Sequence, residues 1–268
     1  MSELEYRMPV WWGRFDFAYG NGRQWDLAGL RLGISRQPQE WQCWTQRSHE
    51  QSEDKQEWQQ SEGNALAETQ TALTRHVFRQ TGEHLQLLPR LADRSVVVRP
   101  VSTLFLPANQ STTFYVSTPV WVAGYADDVV APLFDLPVVI PRDTWFGPSP
   151  VRGQLCYATQ VMGRTTLSQV SPRPFRAVTA VHVNNRSNDS LPIERISIPT
   201  PFLPVYAAQS GHLWTPALTV TREAHSQQLR IHIDSGIGTE AGHVQMLTPA
   251  RRGTDEHTLI RVFDNFFD

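Results

Sequence analysis

Apolar and polar residues alternate with a period of two along most of the chain, and Pro and Gly cut the alternation into short pieces. Period two sends successive side chains to opposite faces, so each piece reads as a half-buried β-strand. Phe15, Phe17 and Tyr19 share one face, Asn21-Gly22 marks a reversal, and Leu30 to Ile34 and Glu40 to Thr45 continue an antiparallel meander. Arg94 to Pro100, Leu104 to Leu106, Thr113 to Ser117 and Pro119 to Val122 form a second group of strands. Leu133 to Ile140, with three prolines close by, reads as edge or connecting structure. A third group follows Ser171-Pro172-Arg173-Pro174: Arg176 to Asn185, Leu191 to Pro199, Trp214 to Val220 and Leu229 to Asp234. Leu259 to Phe263 fits a last strand or a short helix.

The pattern predicts an all-β protein made of two sandwich-like antiparallel β halves packed together. The N-terminal domain is expected over residues 1–170 and the C-terminal domain over 171–268. Between the first strands lies a polar insertion near residues 46–80, rich in Gln, Glu and Ser, with Trp58 as its main large apolar residue. Helical periodicity is scarce, and only Ala65 to Gln80 offers an amphipathic stretch.

Composition narrows the class. Hydrophobic residues are 40% and charged residues 19% of the chain, the reverse of a disordered balance. A net charge of −2 and a pI of about 6.5 argue against a broad electrostatic grip on nucleic acid or on an anionic membrane. The N-terminus lacks a cationic start followed by an apolar core, and no apolar run reaches the length of a membrane span. A soluble cytoplasmic protein with no direct membrane insertion is the expectation. Cys43 and Cys156 cannot make a disulfide scaffold or a structural zinc site by themselves. Lys55 is the single Lys among 24 basic residues, a bias that codon usage explains as readily as phosphate recognition does.

Candidate chemistry is sparse. The chain has no Walker loop, no dinucleotide-type Gly fingerprint, no His-Glu-x-x-His and no Gly-x-Ser-x-Gly. Ser235-Gly236-Ile237-Gly238 reads as a turn. His232 and Asp234 share a strand face, and His182 faces away from its flanking valines. If those strands paired, His182, His232 and Asp234 would form a weak metal set, whereas ordinary alternation on a half-solvated sheet explains all three. No cofactor is expected. Cys43 and Cys156 both sit in apolar surroundings and read as small core residues.

The segment Pro141-Arg142-Asp143-Thr144-Trp145-Phe146-Gly147-Pro148 is the densest anomaly. Trp145 and Phe146 can plug a seam between sheets, because large aromatics dominate cores. In the functional reading the segment is a rigid loop: Trp145 stacks on a sugar or base while Arg142 and Asp143 orient it. Adjacent Trp11 and Trp12 would face opposite sides of a strand, leaving Trp12 for a seam or a partner. The candidate ligand- or partner-binding residues are therefore Trp12, Trp58, Arg142, Asp143, Trp145 and Phe146.

Trp12-Gly13-Arg14-Phe15, Glu40-Trp41, Val98-Arg99-Pro100, Tyr115 to Pro119, Asp143 to Gly147, Gly153 to Tyr157, Ile193-Glu194-Arg195 and Trp214-Thr215 together resemble domain of unknown function four hundred and thirty-two (DUF432). The resemblance spans nearly the whole chain outside the Gln-rich insertion. It implies no activity and no site residues; genes of such members beside small mechanosensitive channels imply an accessory role. The expected function is a non-enzymatic binding or scaffold protein, acting through a protein partner or self-association, with a membrane-channel assembly as the larger setting that the resemblance implies. The alternative is an enzyme or small-ligand-binding protein using the Asp143–Trp145 loop.

Overall fold

The computed structural model describes residues 9–48, 55–63, 72–127, 129–147, 149, 151–171, 173–224, 229–253 and 260–261. The fold is essentially all-β, with 55% strand and 4% helix, the class predicted by the two-residue rhythm. The first seven strands are β1 (Gly13–Asp16), β2 (Gly22–Leu27), β3 (Leu30–Arg36), β4 (Glu40–Arg47), β5 (Trp58–Glu62), β6 (Leu73–Val77) and β7 (His84–Leu91). Then come β8 (Val96–Pro100), β9 (Leu104–Leu106), the long β10 (Gln110–Ala126), β11 (Phe134–Pro137), β12 (Arg142–Phe146), β13 (Gln154–Val161) and β14 (Arg176–Asn185). The rest are β15 (Leu191–Ile193), β16 (Ile196–Ile198), β17 (Val205–Ala208), β18 (Leu213–Trp214), β19 (Leu218–Arg222), β20 (Leu229–Ile233), β21 (Val244–Thr248) and β22 (Ile260–Arg261).

Contacts divide the chain into two compact units. One comprises Pro9–Arg90 with Pro119–Ile140, and the other comprises Leu91–Thr118 with the chain from Pro141 onward. The division crosses the chain at 90/91, 118/119 and 140/141, so β10 gives its first half to one unit and its second half to the other.

In the unit holding Pro9–Arg90, five strands run in the order β5-β2-β3-β4-β6, and every neighbouring pair is antiparallel. Ala28 and Gly29 join β2 to β3 with φ of 53° and 95°. Two successive positive φ angles are what a tight two-residue hairpin requires, because its twist then matches the strands. Asp26 Oδ1 accepts a hydrogen bond from Gly29 N at 3.2 Å and supports the turn. Alternation puts Trp25, Leu27, Leu30, Leu32, Ile34 and Trp41 on one face, all fully buried. Phe17 meets Trp41 edge to face with centroids 5.1 Å apart.

Arg36 is the charged member of this core, 4% exposed. Its Nη1 donates to Phe17 O (2.7 Å), its Nη2 to Thr81 O (2.8 Å) and its Nε to Thr81 Oγ1 (3.1 Å). The guanidinium lies 4.0 Å from the Tyr19 ring centroid. A buried guanidinium is tolerated where its donors are met, and here it fastens two loops to β3.

The polar insertion supplies both edges of this sheet. β5 pairs with β2 through Arg23↔Glu62 to Leu27↔Trp58, and β6 pairs with β4 through Trp44↔Leu73 to Glu40↔Val77. The helical expectation for Ala65 to Gln80 is thus corrected at Leu73–Val77, which forms a strand; residues 64–71 lie outside the described residues. The edge of β4 offers backbone partners that local helical periodicity cannot outweigh. In the same unit β7 lies between β1 and β10, and β11 pairs with β10.

The other unit is built around β14, whose residues are buried on both faces along most of its length. β14 lies beside β10. Its first half runs parallel to β18 (Val178↔Trp214) and its second half parallel to β19 (Val181↔Leu218 to Asn185↔Arg222). β18 leads to β17 and β21, and β19 leads to β20 and β22. Asn185 is 1% exposed, and its Nδ2 donates to Leu106 O, Pro107 O and Asp189 O. That amide pins the β9 turn to the end of β14. A second sheet in this unit has the order β12-β13-β8-β16, with β8 parallel to β13.

Candidate functional site

The segment from Arg142 to Phe146 is not a loop. It is strand β12, paired antiparallel with β13 from Arg142↔Ala158 to Phe146↔Gln154. This corrects the loop expected there: the prolines and glycines flank the run without entering it, so its core keeps every donor a strand needs. Alternation then separates the two aromatics. Phe146 and Cys156 turn inward, at 3% and 0% exposure. The Arg195 guanidinium lies 5.4 Å from the Phe146 ring centroid. Burial pushes the Cys156 thiol up to about 11, so the thiolate is scarce near neutrality.

The opposite face carries Asp143 and Trp145 from β12 with their cross-strand neighbours Tyr157 and Leu155. Trp145 is 43% and Leu155 46% exposed. Phe146 is thus buried, while Trp145 presents part of its ring to solvent.

The hairpin tip fixes that ring. Trp145 Nε1 donates to Ser149 O at 2.9 Å. Ser149 Oγ in turn accepts from Arg152 N (3.0 Å) and Val151 N (3.3 Å). A Cβ at Gly153 would stand 2.6 Å from Trp145 Nε1, 2.7 Å from its Cε2 and 2.8 Å from Phe146 O. A Cβ at Gly147 would meet Arg152 O at 2.3 Å. Glycine is required at both places for close approach: the indole lies against the backbone of Gly153.

Polar groups flank the aromatic. Asp143 Oδ1 accepts from Arg94 Nη1 at 3.4 Å, with side-chain exposures of 63% and 41%. The Arg94 guanidinium also lies 5.3 Å from the Tyr157 ring centroid. Tyr157 donates its hydroxyl to Asp93 Oδ1 at 3.0 Å, and burial, reinforced by Asp93, raises its pKa. Thr200 Oγ1 donates to Arg94 O at 2.6 Å and holds the start of this segment. The resulting surface has a flat apolar strip beside a solvent-facing donor and acceptor pair. It can stack and orient a ligand; its own groups provide no activated nucleophile.

The remaining sequence candidates lie elsewhere. Trp12 is 5% and Trp11 0% exposed, with rings edge to face at 5.6 Å. Both are buried, so Trp12 is not open to a partner, which corrects that part of the expectation. The two residues precede β1 outside any strand, so strand alternation does not govern them. Trp58 opens β5, half-buried opposite Leu27. Arg142 is exposed on the face of β12 opposite Trp145.

His182 and His232 share one sheet face, but Thr219 on β19 stands between them, opposite both. Two strand spacings separate their backbones by about 10 Å. His182 Nδ1 is 2.8 Å from Thr113 Oγ1, and Asp234 Oδ1 accepts from Thr219 Oγ1 at 3.0 Å. Among the described residues no three His, Cys, Asp or Glu side chains are grouped to hold a metal ion. An apolar pocket in the same unit is lined by residues such as Val183, Leu191, Val220 and Ile231; its lining is wholly apolar, so it lacks groups to orient a ligand.

Arg94, Ser149, Gly153 and Leu155 are absent from the candidate binding residues that the sequence offers. The hairpin register was the missing signal: once Trp145 opposes Leu155, Gly153 and Ser149 fall beneath the indole. Among the described residues no helix is long and apolar enough to cross a membrane. No curated protein and no solved structure matches the chain. A family model described as "Protein of unknown function (DUF432)" matches residues 11–268, and the chain belongs to that family.

Proposed function

We propose that this is a non-enzymatic binding protein with a scaffold or accessory role, and that its contact surface is the Asp143–Trp145–Leu155 face of the β12–β13 hairpin. One observation carries the reading: Trp145 stays 43% exposed although its indole N–H is tied back to Ser149 within the hairpin. A tryptophan that is both held and uncovered is ordered before any partner arrives, which lowers the entropy cost of capture. Tryptophans in such settings dominate binding energetics.

The test is site-specific photo-crosslinking in the cells that make the protein. A photoreactive residue replacing Leu155 should yield a discrete adduct, and one replacing the exposed Gln60 of β5 should not. An adduct at twice the chain mass would identify self-association. Absence of an adduct at 155, or the same products from both positions, refutes the assignment.

A further inference from the structure

The Trp145 face has a chemical character that narrows what it captures. We infer that it binds a pyranose unit of a neutral glycan, stacked on the Trp145 indole with its hydroxyls bridged by Asp143 and Arg94. The inference rests on the binding reading above and names its ligand.

The indole N–H is already spent on Ser149 O, so a ligand is offered only the ring face. Proline-rich peptides and other carbonyl-bearing ligands that take a hydrogen bond from an indole would lose that contact. A pyranose needs none, because its C–H face packs on the flat ring. Gly153 backs the indole and Leu155 lies beside it across the strand pair, which extends the apolar strip.

Asp143 is two residues before Trp145 on the same strand face, about 7 Å along the strand. That is the scale of one sugar ring. The contact between Asp143 and Arg94 is long, at 3.4 Å, and both side chains face solvent, so hydroxyl groups can enter between them. A carboxylate accepts from hydroxyls and a guanidinium donates to them in a fixed fork. The pair carries no net charge, which suits a neutral ligand. A nucleotide or polyanion would need a surplus of positive charge, and the chain carries −2.

The experiment uses the purified full chain and three neutral probes: cellohexaose, hexa-N-acetylchitohexaose and maltohexaose. Calorimetric titration should show saturable binding of at least one, with the Trp145 indole resonance moving in the NMR spectrum. Trp145→Ala should weaken that binding at least tenfold, and Asp143→Asn severalfold without touching the hairpin packing. Trp145→Phe should recover part of the loss, because it restores a ring face. Val77→Ala, on an exposed strand of the other unit, should change nothing. No saturable binding of any of the three, or binding indifferent to Trp145→Ala and Asp143→Asn, overturns the inference. A discrete crosslink at position 155 without glycan binding sinks the glycan and leaves the contact surface standing; failure of both sinks both.

Discussion

Replacing Gly153 with Ala should dislodge Trp145, and the size of the effect follows from three distances. The new methyl carbon would sit 2.6 Å from Trp145 Nε1, 2.7 Å from Cε2 and 2.8 Å from Phe146 O. Phe146 O belongs to the strand ladder and cannot yield cheaply, so the indole must swing away. Its hydrogen bond to Ser149 O is then lost, costing about 1 kcal/mol. Overpacking and the shift of the tip add about 1–3 kcal/mol. The sum is about 2–4 kcal/mol, read as a lower urea midpoint at unchanged slope. A double-mutant cycle with Trp145→Ala isolates the indole. In that background only the contact with Phe146 O remains, so Gly153→Ala should cost about 1–2 kcal/mol less. A Gly153→Ala chain within about 0.5 kcal/mol of the parent, with the Trp145 indole proton unmoved, would refute the claim that the tip locks this ring.

Other perturbations test other links. Arg36→Met leaves Phe17 O and Thr81 O without their donors in a buried setting and should cost about 2–4 kcal/mol in urea unfolding; a loss below about 0.5 kcal/mol would show that the clasp does not hold the loops. Burial pushes Cys43 up to about 12 and Cys156 up to about 11, so neither thiol should react with a disulfide reagent in the folded chain at pH 8, and both should react once it is unfolded. Rapid modification of either thiol under native conditions would contradict the burial. Burial also lowers the pKa of His212 and of His76 below the ordinary 6.5. The unfolded chain therefore binds more protons as pH falls through that value, and stability should drop on acidification from about 7 to about 5. A His76→Gln, His212→Gln double variant should flatten this slope; an unchanged slope would assign it to other groups.

The class of the fold was legible because strand alternation is written locally. Trp25, Leu32 and Ile34 point to the core for the reason their spacing suggests, and the Leu73–Val77 edge shows where local periodicity misleads. Pairing is not local. His182 and His232 would group only if their strands paired, and β19 inserts between those strands, so that Thr219 intervenes. The candidate site was half legible: Asp143 and Trp145 stood out by residue type. Arg94 is far away in sequence, and Leu155 and Gly153 lack a signal until the hairpin register is known. Trp12 misled because adjacent tryptophans invite a strand reading that the chain before Gly13 does not follow.

The 17-residue strand β10 serves two masters. During synthesis the stretch ending at Arg90 emerges long before Pro119–Ile140, the piece that completes its unit. Its tryptophan-rich interior must wait for that later piece, exposed to aggregation or to helper proteins in the meantime. A fragment stopped after Arg90 should therefore be a poor autonomous folder, and permuted chains that deliver residues 119–140 earlier should be the ones that shorten the delay.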